Sequence, residues 1–315
     1  MKRKSIIISI SSYRLTKKEE ELISSQKPWG IILFKRNVKN MDQLKELTSR
    51  IRFLMKDPYY PIMIDEEGGR VSRLSGIVDI SNFPQNLFGK LFEKNKLLGI
   101  NSYNEYLHFI CQILKESGIN INTIPVLDIL KNNTHKIIGD RSYSRKLNTI
   151  NVLKKLCFTV LNKFKIGSVS KHIPGHGCSN IDTHKKLSVV NNSLDSLFEQ
   201  DFKAFKNIES KFSMTAHIIY KKIDSLNTAT HSKVLIKNII RKKLGFKGIL
   251  ISDDISMKGL QGNLLYNAKK AIQSGCNLVL YCKGNIKESS SLLGKINDID
   301  NFTKKKTSEF YRFLR

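Results

Sequence analysis

The 315-residue chain is short of cysteine, of carboxylates relative to its cations, and of long apolar runs, and each shortage removes a class of protein. Its five cysteines (Cys111, Cys157, Cys178, Cys276, Cys282) are odd in number and have no C-x-x-C spacing. That suggests a reducing compartment and no disulfide framework. No apolar stretch approaches the roughly 18 residues that span a bilayer, so no membrane partner is expected. The opening Met1-Lys-Arg-Lys-Ser-Ile-Ile-Ile-Ser has a short apolar part with no small-residue cleavage site after it, and reads as a first strand rather than a signal peptide. Gly68-Gly69 lacks the G-x-G-x-x-G spacing, so no nucleotide cofactor is expected. A G-x-S-x-G elbow and a supported Cys–His pair are also missing.

What is present begins with a core. Apolar residues make up 40% of the chain and aromatics 9%, enough to exclude global disorder. Lys and Arg number 54 against 27 Asp and Glu, a formal charge of +27. A nucleic-acid binder would gather this charge on one face, interleaved with aromatics. Here the cations are scattered among Asn and Ile over most segments, which reads as a lysine-rich solvated surface, and no nucleic-acid partner is expected. The one dense basic cluster is the tail at about 300–315 (Lys304-Lys305-Lys306, Arg312, Arg315), read as a solvated terminal helix.

Short β-branched runs at 6–10, 30–34, 61–64, 119–126, 166–170, 211–215, 248–251 and 277–281 each precede a helical pattern. Thr16-Lys-Lys-Glu19 is a capping box. Leu44, Leu47, Ile51 and Leu54 form a helical stripe after Asn40, and Gly118 stops a third helix. Leu194, Leu197, Phe198, Phe202 and Phe205 predict one continuous fifth helix, and Val234, Leu235 and Ile239 a sixth. Strands separated by helices are parallel. Eight such units without a Pro/Gly/Ser linker predict a single-domain (β/α)8 TIM-type barrel over residues 1–315, with a doubly wound open sheet as the alternative.

In a barrel the strand C-termini carry the site. There the sequence places Asp65-Glu-Glu-Gly-Gly-Arg70-Val-Ser-Arg73, Pro125-Val-Leu-Asp128 with Gly139-Asp-Arg141-Ser-Tyr143, Lys171-His172-Ile-Pro-Gly-His176-Gly with Asp182-Thr-His184, Ala216-His217, and Ser252-Asp253-Asp254. Carboxylates, imidazoles and guanidiniums suit a glycosidase or a metallohydrolase. His172, His217 and Asp253 could ligate a metal. The H-x-H expected at the end of strand one in amidohydrolase-type barrels is replaced by Ile8-Ser9-Ile10-Ser11-Ser12. A glycosidase needs a nucleophile and an acid/base group. Asp253 can be the first. Asp182 and His184, two residues apart in an extended segment, project to one side, so the carboxylate could fix the tautomer of an imidazole that donates a proton to the leaving oxygen. The surrounding glycines suggest a mobile loop.

The segments Ile64-Asp-Glu-Glu-Gly-Gly-Arg-Val-Ser-Arg-Leu74, Gly139-Asp-Arg-Ser-Tyr143, Lys171-His-Ile-Pro-Gly-His-Gly177 with Asp182-Thr-His184, Met214-Thr-Ala-His217 and Ser252-Asp-Asp-Ile-Ser-Met257 resemble glycoside hydrolase family 3. The likeness is to its bacterial single-domain β-N-acetylhexosaminidases. The resemblance implies a retaining mechanism with Asp253 as nucleophile and His184 as proton donor tuned by Asp182. It implies that Asp65, Arg73, Arg141, Lys171 and His172 bind a terminal N-acetylglucosamine. It further implies a cytoplasmic, cofactor-free and metal-free enzyme, expected as a monomer, that acts on muropeptides in peptidoglycan recycling. Glu66 stands where such relatives are expected to carry Gln, which would add negative charge beside the sugar, and the first strand is serine-rich where acidic residues are more usual.

Overall fold

The computed structural model describes residues 2–132, 134–183 and 185–315. Its eight barrel strands are β1 (Lys4–Ser9), β2 (Pro28–Leu33), β3 (Ile62–Ile64), β4 (Ile121–Asn122), β5 (Gly167–Ile173), β7 (Phe212–Thr215), β9 (Ile249–Asp254) and β10 (Leu278–Tyr281). They close in the order β1-β10-β9-β7-β5-β4-β3-β2, all parallel. The expected closed barrel is the observed one, and the open sheet is excluded.

The barrel follows from a two-residue alternation of buried side chains. Ile7, Ile32, Met63, Val169, Phe212, Met214, Ile249, Ile251, Leu278 and Leu280 fill the interior. Their neighbours Ile6, Ile8, Ile31, Leu33, Ile62, Ile64, Leu250, Val279 and Tyr281 point outward into the layer under the helices. Strands buried on both faces must be apolar in both phases, which is why they read as unbroken Ile-rich runs. The capping box of helix Lys17–Gln26 forms as the sequence predicts, with Glu19 N–H on Thr16 and Thr16 N–H on Glu19. Helix Met41–Met55 starts at the Asn40 cap.

Several elements differ from expectation. The fourth strand shrinks to Ile121–Asn122, because Pro125 has no N–H for the ladder. Beyond it the backbone bonds β5 through Val169 N–H to Ile124 O, Lys171 N–H to Pro125 O and Leu127 N–H to Lys171 O. The fifth helix stops at Gln200. Asp201 turns its carboxylate to the Cys178 N–H, and 202–205 resume as a tighter turn. The sixth helix, Leu235–Lys243, is wound as a π-helix. A two-stranded parallel ribbon, β6 (Ser188–Val190) with β8 (Ile218–Tyr220), was not anticipated and extends the rim after β5 and β7.

The basic tail forms helix Asn301–Leu314. Lys304 and Lys305 are exposed, but the opposite face is buried. Phe310 packs edge-on against Phe212, and Trp29 donates its indole N–H to Thr307 at 2.9 Å. This helix seals the N-terminal mouth of the barrel, leaving the other end for chemistry. Among the described residues no helix is long and apolar enough to cross a membrane.

Candidate active site

The alternation that fills the barrel also selects what stands above the core. One step beyond Met63, Val169, Ile251, Ile32 and Leu280 come Asp65, Lys171, Asp253, Phe34 and Cys282, all facing inward. These residues, with Arg73, Arg141, His172, Asp254 and Met257, line a cavity of about 130 Å³ at the C-terminal mouth. Asp253 and the five expected sugar-binding side chains therefore share one cavity. Lys171 and His172 both reach it because the β5–β7 register shifts between Lys171 and Ile173. Larger clefts of about 450 and 650 Å³ lie at the opposite end around Lys306, without a comparable gathering of carboxylate, imidazole and guanidinium groups.

Charges of alternating sign run through the cavity wall. Arg73 contacts one Asp65 oxygen at 2.6 Å, and the Lys171 ammonium contacts the other at 2.6 Å. Lys171 also meets Glu67 at 2.5 Å, and Glu67 grips Arg141 through two bonds of 2.7 and 2.8 Å. Arg141 reaches His172 Nε2 at 3.4 Å, and His172 Nδ1 lies 2.7 Å from Asp128. Burial pushes the carboxyls of Asp65, Glu67 and Asp128 up. The adjoining Lys171 and Arg73, the Arg141 and Lys171 pair, and the two histidines His172 and His176 respectively outweigh it, so all three stay below the ordinary range and ionised. Burial lowers the Arg141 pKa, but Glu67 outweighs it and holds the group above its usual value. With Thr123, Lys171 and Arg73 already on Asp65, one lone-pair direction of its carboxylate is left for a ligand hydroxyl.

Glu67 and Asp128 were not assigned roles from the sequence, yet they hold Lys171, Arg141 and His172 in place. The missed signal for Glu67 is the same period of two: counting on from Met63, Asp65 and Glu67 face inward and Glu66 does not. Glu66 accordingly does not line the cavity, where the sequence placed its charge beside the expected sugar. It is buried and accepts the N–H groups of Gly68, Arg73 and Leu74 and the hydroxyl of Ser72, tying its own loop. Burial, opposed by those hydrogen bonds, pushes its carboxyl up to about 7.

Of the expected acid/base pair, Asp182 is not among the residues lining the cavity. It precedes Thr183, whose carbonyl accepts the Gly259 N–H of the loop after β9 at 2.8 Å. His184 lies outside the described residues. The Lys-His-x-Pro-Gly-His-Gly glycines are explained by crowding: a Cβ on Gly175 would stand 2.5 Å from Asp201 Cγ, and one on Gly177 would stand 2.0 Å from Ile129 O.

The candidate metal ligands are otherwise engaged. His217 Nε2 donates to the Asp254 carbonyl at 3.1 Å, so its Nδ1 accepts from Thr230 Oγ1 at 2.7 Å. Among the described residues no three His, Cys, Asp or Glu side chains gather as a metal site. Desolvation of the partly buried Cys282 thiol raises its pKa well above the ordinary thiol value, which keeps it protonated.

Burial lowers His176 from an ordinary 6.5 to about 4. Between these values the unfolded chain binds a proton that the folded chain refuses. Its contribution to stability is thus complete above pH 6.5 and lost as pH falls toward 4. In urea unfolding at pH 7, 6, 5 and 4, His176→Gln is expected to lose stability less steeply than the parent, by up to roughly 1.4 kcal/mol per pH unit. Parallel curves would refute this.

With the barrel and its mouth defined, the chain can be placed. A family model described as the glycosyl hydrolase family 3 N-terminal domain matches residues 4–308. The chain belongs to glycosyl hydrolase family 3. It is 32% identical to a β-hexosaminidase of Psychromonas ingrahamii, over 97% of this chain and 88% of the relative. It is also 32% identical to a β-hexosaminidase of Neisseria meningitidis, over 88% and 77%. The crystal structure of NagZ from Neisseria gonorrhoeae in complex with N-trifluoroacetyl-D-glucosamine superposes with a TM-score of 0.85 at 29% identity, covering 100% of this chain and 90% of that one. The chain is therefore a family 3 glycosidase of the β-hexosaminidase group.

Proposed function

We propose that this family 3 glycosidase is a retaining β-N-acetylhexosaminidase that removes terminal, non-reducing β-linked N-acetylglucosamine from muropeptides during peptidoglycan recycling in the cytoplasm. It acts as a monomer without metal or cofactor. The observation that carries the reading is the shared cavity: Asp253 opens onto the same space as Asp65, Arg73, Arg141, Lys171 and His172. The N-acylated glucosamine held by the gonococcal relative supports the choice of sugar.

In this mechanism Asp65, Arg73, Arg141, Lys171 and His172 hold the sugar's hydroxyls and acetamido group through charge-assisted hydrogen bonds. The Asp253 carboxylate attacks the anomeric carbon as the glycosidic bond breaks. His184 gives its proton to the departing oxygen while Asp182 stabilises the imidazolium. Water, deprotonated by His184, then hydrolyses the glycosyl ester and frees Asp253. The reading is tested by following hydrolysis of 4-nitrophenyl N-acetyl-β-glucosaminide by NMR, with and without EDTA. The expected first product is the β-anomer, at a rate unchanged by chelator. A first-formed α-anomer, or activity lost to EDTA and restored by zinc, would overturn it.

A further inference from the structure

Gly259 lies six residues after Asp253 on a stiff hook. Asp254 N–H bonds Asp253 Oδ1 at 2.7 Å, Met257 N–H bonds Asp254 O at 3.0 Å, and Leu260 N–H bonds Met257 O at 3.1 Å. From this hook the Gly259 N–H reaches across to the Thr183 carbonyl at 2.8 Å. The approach leaves no room for a side chain. A Cβ on Gly259 would stand 2.7 Å from Thr183 O, 3.2 Å from His217 Cβ and 3.3 Å from Thr183 Cβ. Neither neighbour gives way cheaply, since one is backbone and His217 is fixed at both ring nitrogens by Thr230 and the Asp254 carbonyl.

Thr183 is clamped from the other side as well. Its hydroxyl lies 3.3 Å from His176 Nε2, and its side chain is buried. Immediately before it, the Asp182 carbonyl accepts the N–H groups of both Lys185 and Lys186, closing a tight turn. The segment carrying Asp182 is thus seated on the loop carrying Asp253 through one hydrogen bond and one contact that only glycine permits.

We infer that Gly259 is a positioning residue for the acid/base segment: its backbone latches Asp182–Thr183 against the loop of Asp253. This rests on the roles proposed above for Asp253, Asp182 and His184. A latch of this kind acts on proton delivery and leaves the nucleophile in place, so its loss hurts substrates in proportion to their need for protonation. A glycine that served packing alone would affect all substrates equally.

The experiment measures kcat/KM of the full-length chain for an activated substrate, 2,4-dinitrophenyl N-acetyl-β-glucosaminide, and an unactivated one, the phenyl glycoside. Gly259→Ala is expected to lose at least ten-fold more on the phenyl substrate than on the dinitrophenyl one. Thr183→Val, which keeps the shape but drops the bond to His176, is expected to move the same way by a smaller factor, and decides the matter if the alanine variant does not fold. His184→Ala serves as reference. If it shows the leaving-group dependence while Gly259→Ala and Thr183→Val lose equally on both substrates, the latch is refuted and the mechanism stands. If His184→Ala also loses equally on both, the acid/base assignment fails and takes the latch with it.

Discussion

Asp253→Asn is expected to lower turnover of aryl N-acetyl-β-glucosaminides by at least about a thousand-fold while leaving the fold intact. The size of the loss follows from what the carboxylate does in the proposed mechanism: it forms the bond that replaces the one being broken, and an amide cannot take that role. The fold should survive because Asp253 is at the solvent-facing end of β9, one step above the sealed layer of Ile249 and Ile251. Its neighbour Asp254 also ties the local structure. It accepts from Ser256 N–H at 3.1 Å, from the Ser256 hydroxyl at 2.6 Å and from Cys282 N–H at 3.2 Å. The check is steady-state kinetics beside a thermal melt. Near-parental turnover, with an unchanged melt, would end the assignment.

The second large effect concerns stability. Glu67→Ala is expected to cost about 3–5 kcal/mol in urea unfolding, because it takes away the carboxylate that two buried cations share. Lys171 and Arg141 are the cations, with side chains only 2% and 10% exposed. Lys171 keeps Asp65, so its burial is partly compensated, whereas Arg141 loses both of its bonds to Glu67 at once. Glu67→Gln keeps an acceptor and should cost less, but it breaks the bidentate grip and is expected to raise KM more than it lowers kcat, since Arg141 would lose the anchor that fits it to the proposed sugar-binding role. A loss below about 1 kcal/mol in the alanine variant would show that the charges of the cavity wall are not coupled as the distances indicate.

The two effects also show what could be read from residues alone. The barrel was legible because strands buried on both faces leave continuous Ile-rich runs, and helices leave a 3.6-residue stripe with caps at Thr16 and Asn40. The rim motifs were legible because chemistry-bearing residues recur after the strands. Of the three adjacent acids, Asp65 was expected at the sugar and Glu66 beside it, while Glu67 had no expected role. Their fates are set by the period of two carried up from Met63, which aims the first and third inward and turns the second into its own loop. Asp128 was harder still. Its role depends on His172, 44 residues away on a neighbouring strand, and no local pattern announces such a pairing. The break in the fifth helix has the same origin. Its apolar spacing is continuous, but Asp201 is drawn inward to the N–H of Cys178, the residue after the Lys-His-x-Pro-Gly-His-Gly segment. The basic tail looked like surface because its lysines dominate the composition. Its buried face of Thr303, Thr307 and Phe310 is spaced for a helix lying across the barrel floor.

The account centres on Asp253 attacking a sugar's anomeric carbon. The most direct measurement is to treat the protein with a 2-fluoro sugar carrying an activated leaving group, digest it and locate the added mass by tandem mass spectrometry. Label on Asp253 alone is the expected result. Label on a different side chain of the cavity, with Asp253 unmodified, would contradict it.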